Sequence, residues 1–150
     1  MLDYPKLFAF FDEYIEHYKT FLQFEYLKLE MINNDDIEKL SASLSREQAL
    51  IMKTNSLEKK RIDILGDEAG KTFQELIDSA PKWYQYRLND KYNQLSEIVL
   101  KIKEINDTAN VIVSERLNKI QKKVGELDTY DERGTVSKEK ISHSALLKSI

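Results

Sequence analysis

Apolar residues recur at Leu7, Phe8, Phe11, Tyr14, Ile15, Tyr18, Leu22, Leu29 and Ile32. Steps of three and four alternate, which is the period of one helix face. Asp3 is a good N-cap for this helix, and Pro5 falls in its first turn, where a missing N–H costs nothing. Phe10, Phe21 and Phe24 widen the stripe beyond a two-helix seam, so the helix should either pack against two neighbours or keep some aromatics exposed for a partner. Asn33-Asn34-Asp35-Asp36 reads as a turn with an N-cap built into it. A second helix follows, with Ile37, Leu40, Leu44, Ile51, Leu57 and Leu65 along its stripe and Gly66 as its stop. A connection this short makes the two helices antiparallel neighbours.

Beyond Gly66 the pattern predicts a short helix over Phe73 to Ser79, ended or kinked by Pro81. From Pro81 to Val124 no breaker occurs. Trp83, Leu88, Leu95, Ile98, Val99, Ile102, Ile105, Ala109, Ile112, Val113, Leu117, Ile120, Val124 and Leu127 carry the stripe. At 1.5 Å per residue this helix is ~65–70 Å long, against ~45 Å for each of the first two. It must overhang them or bend. After Gly125 the chain turns polar, and Gly134 interrupts it. Ser137 could cap a last helix carrying Ile141, Ala145, Leu146 and Ile150, too short to be stable alone. The expected fold is all-α: an elongated antiparallel bundle of three long helices over 1–127 with a short connecting helix. A flexible or conditionally helical C-terminal tail covers 128–150.

Composition agrees with long helices: of 150 residues 33% are charged, with only 4 Gly and 2 Pro. The net charge is -3, and no basic field exists to hold a nucleic acid. The Lys119 to Lys123 run is read as a solvated helix face. With no cysteine, disulfides, thiolate metal sites and cysteine nucleophiles are excluded. No segment approaches ~20 apolar residues, so no membrane insertion is expected. Asp3 stands where a signal peptide would carry positive charge, which makes the cytoplasm the expected compartment.

Several polar residues interrupt the stripes. Glu25, Glu47 and Glu58 occupy positions where a coiled coil would place leucine, and Arg61 follows Glu58 by three. The pair is read either as a solvated contact along a helix or as a polar clamp that fixes register. Asn106 and Asn110 lie one turn apart within an apolar run, where asparagine selects register at some cost in stability. Three carboxylates on seams raise a diiron bundle, but such sites take Glu-x-x-His twice. Here Tyr14 precedes His17 by three and Lys140 precedes His143 by three, so metal is rejected. His17 reads as a helix-surface residue. Gly66 to Thr72 imitates a phosphate loop but has three residues between its glycines instead of four. Asp67 and Glu68 would repel phosphate. Gly66 is better read as a helix C-cap, and Thr72 with Glu75 as a capping box. No cofactor and no catalytic set is expected.

The order of these residues carries a resemblance. Glu25, Asp35-Asp36, Glu47-Gln48, Leu57-Glu58-x-x-Arg61, Leu65-Gly66 and Asn106-x-x-x-Asn110 together resemble the FlgN family of flagellar type III export chaperones. The resemblance spans roughly Leu7 to Gly134. It departs in the tail, where Tyr130 is followed by Asp131 and the family tends towards Tyr-Gly. The resemblance implies a non-enzymatic cytoplasmic chaperone for hook–filament junction proteins. It would bind their helical C-terminal segments, prevent premature assembly and deliver them to the export gate. The alternative is a helical scaffold or adaptor that self-associates as a coiled coil. A chaperone needs apolar surface that its own bundle leaves unburied. The overhang and tail offer Val113, Leu117, Ile120, Val124, Leu127, Tyr130, Ile141, Leu146 and Ile150 as the candidate cargo surface. Glu25, Glu47, Glu58, Arg61, Asn106 and Asn110 are the candidate structural polar set.

Overall fold

A computed structural model describes residues 2–126. All its regular elements are helical: α1 (Tyr4–Asn33), α2 (Ile37–Leu65), a 3-10 turn (Gly66–Glu68), α3 (Phe73–Ser79) and α4 (Lys82–Glu126). The residues expected to start and stop them do so. Asp3 accepts from the Lys6 N–H at 3.1 Å, and Asp36 accepts from the Lys39 N–H at 3.0 Å. At the end of α1 the Asp36 N–H reaches the Met31 carbonyl at 3.0 Å, and the Asp35 N–H reaches Ile32 at 3.2 Å. This is a Schellman turn with Asp35 in the left-handed position at φ 54. Aspartate tolerates that conformation better than most side chains. Gly66, just after α2, is also left-handed, at φ 55.

The false phosphate loop is a connector between helices. Thr72 Oγ1 accepts from the Glu75 N–H at 3.1 Å, and the Glu75 carboxylate accepts from the Thr72 N–H at 3.0 Å, which completes the capping box that opens α3. Lys71 pairs with Glu68. Ala80 is extended, with ψ 155, because the residue before a proline is pushed out of the helical region. The chain therefore breaks between α3 and α4. The Pro81 carbonyl accepts the first α4 bonds, from Tyr84 at 2.9 Å and Gln85 at 3.2 Å.

The chain forms two compact units. The first comprises Met1–Phe24 and Ala49–Ile102, the second Glu25–Gln48 and the chain from Lys103. In the first unit Leu7, Phe8, Phe10, Phe11, Leu57, Leu65, Leu76, Ile77, Ala80 and Leu88 form the main core. Phe21, Phe24 and Leu50 form a second cluster there. Phe8, Phe10, Phe11, Phe21 and Phe24 of α1 are thus core residues, whereas Tyr26 is exposed. Tyr4 stacks on Tyr84 at 4.5 Å, and Lys60 reaches Glu13 at 2.7 Å. Lys91 pairs with Asp12 further along, so in this unit α4 runs parallel to α1, and α2 antiparallel to both. In the second unit Ile32, Leu40, Ala109 and Val113 form the core, flanked by Leu29, Met31, Ile112 and Leu117.

The structure corrects the sequence reading at a few stripe positions. Ile37, Leu44, Trp83 and Val99 are exposed, Trp83 by 74%. Three long helices bury only a limited arc of each helix, and at the start of α4 Tyr84 takes the inward place.

His17 is the larger correction. It is buried, and its Nε2 lies 2.8 Å from Thr54 Oγ1. Thr54 donates its one proton to the Leu50 carbonyl at 3.0 Å, so His17 must donate from Nε2–H. The ring lies edge-on to Phe21. A polar partner on α2 makes the burial tolerable, and no pattern along α1 alone reveals that partner. Burial, with a smaller contribution from Lys53, lowers the His17 pKa below its ordinary 6.5. A folded value below the unfolded one contributes stability above pH 6.5 that is lost as pH falls towards the folded value. Acidification below pH 6.5 should therefore weaken the wild type more than His17→Gln, which keeps a donor for Thr54. Urea titrations of both proteins at several pH values check this, and parallel pH profiles would remove His17 as the cause.

Candidate functional site

The candidate cargo surface begins at the end of α4. Arg116 ties this helix to the end of α1. Its guanidinium donates to the Ile32 carbonyl, to the Asn33 carbonyl at 3.1 Å and to the Asp35 carboxylate at 2.6 Å. These are the last carbonyls of α1, which have no partner within the helix. The hairpin of α1 and α2 thus ends level with Arg116, and α4 continues to Glu126. Val113 is buried in the core cluster, and Leu117 is half-buried against it. Ile120 and Val124 are half-buried further along. Leu117, Ile120 and Val124 are spaced by three and four, so they continue one face. Leu127, Tyr130, Ile141, Leu146 and Ile150 lie outside the described residues.

The expected polar set divides in two. Glu58 and Arg61 form a two-pronged pair, with Arg61 Nη2 2.7 Å and Nε 3.0 Å from the carboxylate. Their side chains remain 46% and 24% exposed. The Arg61 hydrogen bond is the main cause that holds the Glu58 carboxyl below its usual range. Water screens the pair, so Arg61→Ala should cost no more than about 1 kcal/mol. A thermal melt checks this, and a loss above about 2 kcal/mol would restore the reading of a buried clamp.

The buried members of the expected polar set lie in the second unit, and register explains why they meet. Ile32, Leu40 and Val113 share a core cluster. Seven residues are nearly two turns of helix, about 10.5 Å on the same face. Seven positions back along α1 stands Glu25, and seven back along the parallel α4 stands Asn106. Seven forward along the antiparallel α2 stands Glu47. All three fall at one level. Lys28, one turn from Glu25, donates to Glu47 Oε2 at 2.7 Å. Lys28, Glu25 and Glu47 are all but fully buried. Among the described residues, four buried oxygens have no hydrogen-bond partner: Glu25 Oε1, Glu47 Oε1, Asn106 Oδ1 and Asn110 Oδ1. Burial is the main cause that raises the Glu25 pKa; Lys28 opposes it and Glu47 adds to it.

Sequence reasoning placed Glu25 and Glu47 on the seams but missed Lys28. The signal was available: Glu25 and Lys28 have the same i,i+3 spacing as Glu58 and Arg61. Arg116 was also missed, because its partners lie on another helix and are backbone carbonyls. Among the described residues no group of three or more His, Cys, Asp or Glu is placed to hold a metal ion. No helix there is long and apolar enough to cross a membrane.

Among the described residues every regular element is helical, so a partner of this chain would meet helix faces. The model of the FlgN protein family matches residues 1–137. The chain belongs to the FlgN family, whose general role is that of a flagellar export chaperone. No curated protein and no solved structure matches it.

Proposed function

We propose that this chain is a non-enzymatic cytoplasmic chaperone for hook–filament junction proteins. It binds their helical C-terminal segments, keeps them from assembling early and delivers them to the type III export gate. Family membership supports the general role. The observation that carries the finer reading is the run of α4 past Arg116, where Leu117, Ile120 and Val124 extend a core stripe beyond the hairpin that covers it. A client helix could lie against that stripe with anchors at i, i+3, i+4 and i+7. Residues 128–150 would fold over the client at an ordering cost that keeps the complex releasable.

The test uses the purified full chain and a junction protein in a calorimetric titration. Truncation after Leu127 and the double change Leu117→Gln with Val124→Gln should each keep the helical signal and lower affinity at least about tenfold, the size of a lost anchor worth ~1.4 kcal/mol. Trp83→Ala with Tyr86→Ala serves as the control, because these side chains are 74% and 83% exposed at the start of α4. If the control abolishes binding while the first two variants bind normally, the surface on α4 is the wrong one. Sedimentation of the chain alone distinguishes the scaffold alternative, which would form stable oligomers without a client.

A further inference from the structure

The polar layer of the second unit carries a charge that its ion pair does not balance. It holds two carboxyl groups, Glu25 and Glu47, and one ammonium, Lys28, with relative exposures of 1%, 1% and 2%. The Lys28 Nζ is committed to Glu47 Oε2 at 2.7 Å. Asn106 and Asn110 of α4 contribute amides and no charge. The other charged side chains nearby in sequence are exposed: Glu30 on α1, Arg46 on α2, and Lys103, Glu104 and Asp107 on α4. Burial, Lys28 and Glu47 are the causes that act on the Glu25 carboxyl, and charges on exposed side chains balance a buried charge weakly. An ionised Glu25 would therefore be a buried, unpaired charge, the costliest arrangement available to it. The four partnerless atoms are all acceptors. A proton on a carboxyl group would supply both the missing charge and a missing donor.

We propose that Glu25 is held as the carboxylic acid in the folded second unit, donating its O–H within the layer, and that opening the layer releases this proton to water. Closure of the α1–α2 hairpin around the layer is then coupled to proton uptake. Burial raises the Glu25 pKa, in the sense the proposal requires. A folded value raised above the unfolded one stabilises most fully below the ordinary 4.5, and that contribution is lost as pH rises through the folded value. The hairpin end of the molecule should open more readily as the solution becomes more alkaline. This coupling is independent of which client is bound.

Two measurements on the full chain test it. The first is an NMR titration of the glutamate side-chain carboxyl carbons, with Glu25 assigned by its loss in Glu25→Gln. Glu25 should titrate well above the other glutamates. The second is hydrogen exchange of residues 25–33 and 37–48 at several pH values, corrected for the intrinsic rate. Between pH ~5 and the Glu25 titration, opening should increase by up to about tenfold per pH unit, the slope of one proton. In Glu25→Gln, which mimics the neutral acid, that slope should disappear, so that opening matches the wild type near pH ~5 and falls below it at neutral pH. Glu25 titrating with the ordinary glutamates would overturn the proposal, and so would an unchanged slope in Glu25→Gln. If the variant does not fold, assignment through the backbone leaves the wild-type titration decisive.

Discussion

Lys28→Ala should cost about 3–5 kcal/mol and should weaken the second unit first. The change removes the ammonium that donates to Glu47 Oε2 and leaves two carboxyl groups in a buried layer. Glu47 must then either stay ionised without a partner or take a proton. Neutralising a carboxyl of ordinary pKa near 4.3 at pH 7 costs about 3–4 kcal/mol at 1.36 kcal/mol per unit. That sets the scale of the loss by the cheaper route. Urea titration gives the size of the effect, and hydrogen exchange in 25–33 and 37–48 gives its location. Replacing the whole set, Glu25→Leu with Lys28→Met and Glu47→Leu, should be neutral or stabilising, because well-packed apolar groups carry no desolvation penalty. A cost below about 1 kcal/mol for Lys28→Ala would mean that water reaches the layer.

Phe10→Ala should be comparably damaging, at about 3–5 kcal/mol. Phe10 is 1% exposed, and its ring lies 5.5 Å from Phe11 and 5.2 Å from Tyr14. Removing it leaves a cavity walled by rings that are themselves packed, so the gap can collapse only in part. Denaturation followed by near-UV circular dichroism checks this, since the aromatic cluster reports on its own packing. Trp83→Ala, at an exposed position, should change stability by no more than about 0.5 kcal/mol. The reverse order of effects would mean that the α1 aromatics face outward and form a docking surface.

The helices were legible in the sequence because each boundary is set locally. Asp3, Asp36 and Thr72 cap through their own side chains, and Gly66 and Pro81 act through their own backbone preferences. Periodicity gave the buried faces of α1 and the later half of α4, where the stripe meets two neighbours. It failed at Ile37, Leu44, Trp83 and Val99, where a helical period exists but no partner covers it. Periodicity says which residues share a face and is silent on how wide an arc the neighbours occupy.

The polar residues show the same division. Glu58 with Arg61 could be paired from spacing alone, because both lie on one helix. The burial of that pair depends on the neighbouring helices, and it proved half-exposed. His17 and Lys28 depend on Thr54 and Glu47, on the other arm of the hairpin. Once the register of one layer is known, the seven-residue step finds Glu25, Glu47 and Asn106 together. The step was present in the sequence throughout, but the layer from which to count was not.

The turn at Asn33 to Ile37 has a consequence for how chains of this kind change length during evolution. One residue added to a helix rotates everything beyond it by about 100°. Added to α1 between Glu25 and Asn33, it would swing Ile32 out of its cluster and pull the Arg116 contacts out of line. Paired additions of about seven residues, one in each arm beside the turn, would instead keep both faces and lift the turn by about 10.5 Å. α4 already extends ten residues beyond Arg116, to Glu126, and would lie alongside the new turns. Homologues of different size should therefore differ at this turn by matched insertions close to a heptad, with odd single-residue indels confined to the connectors around Gly70 and Pro81.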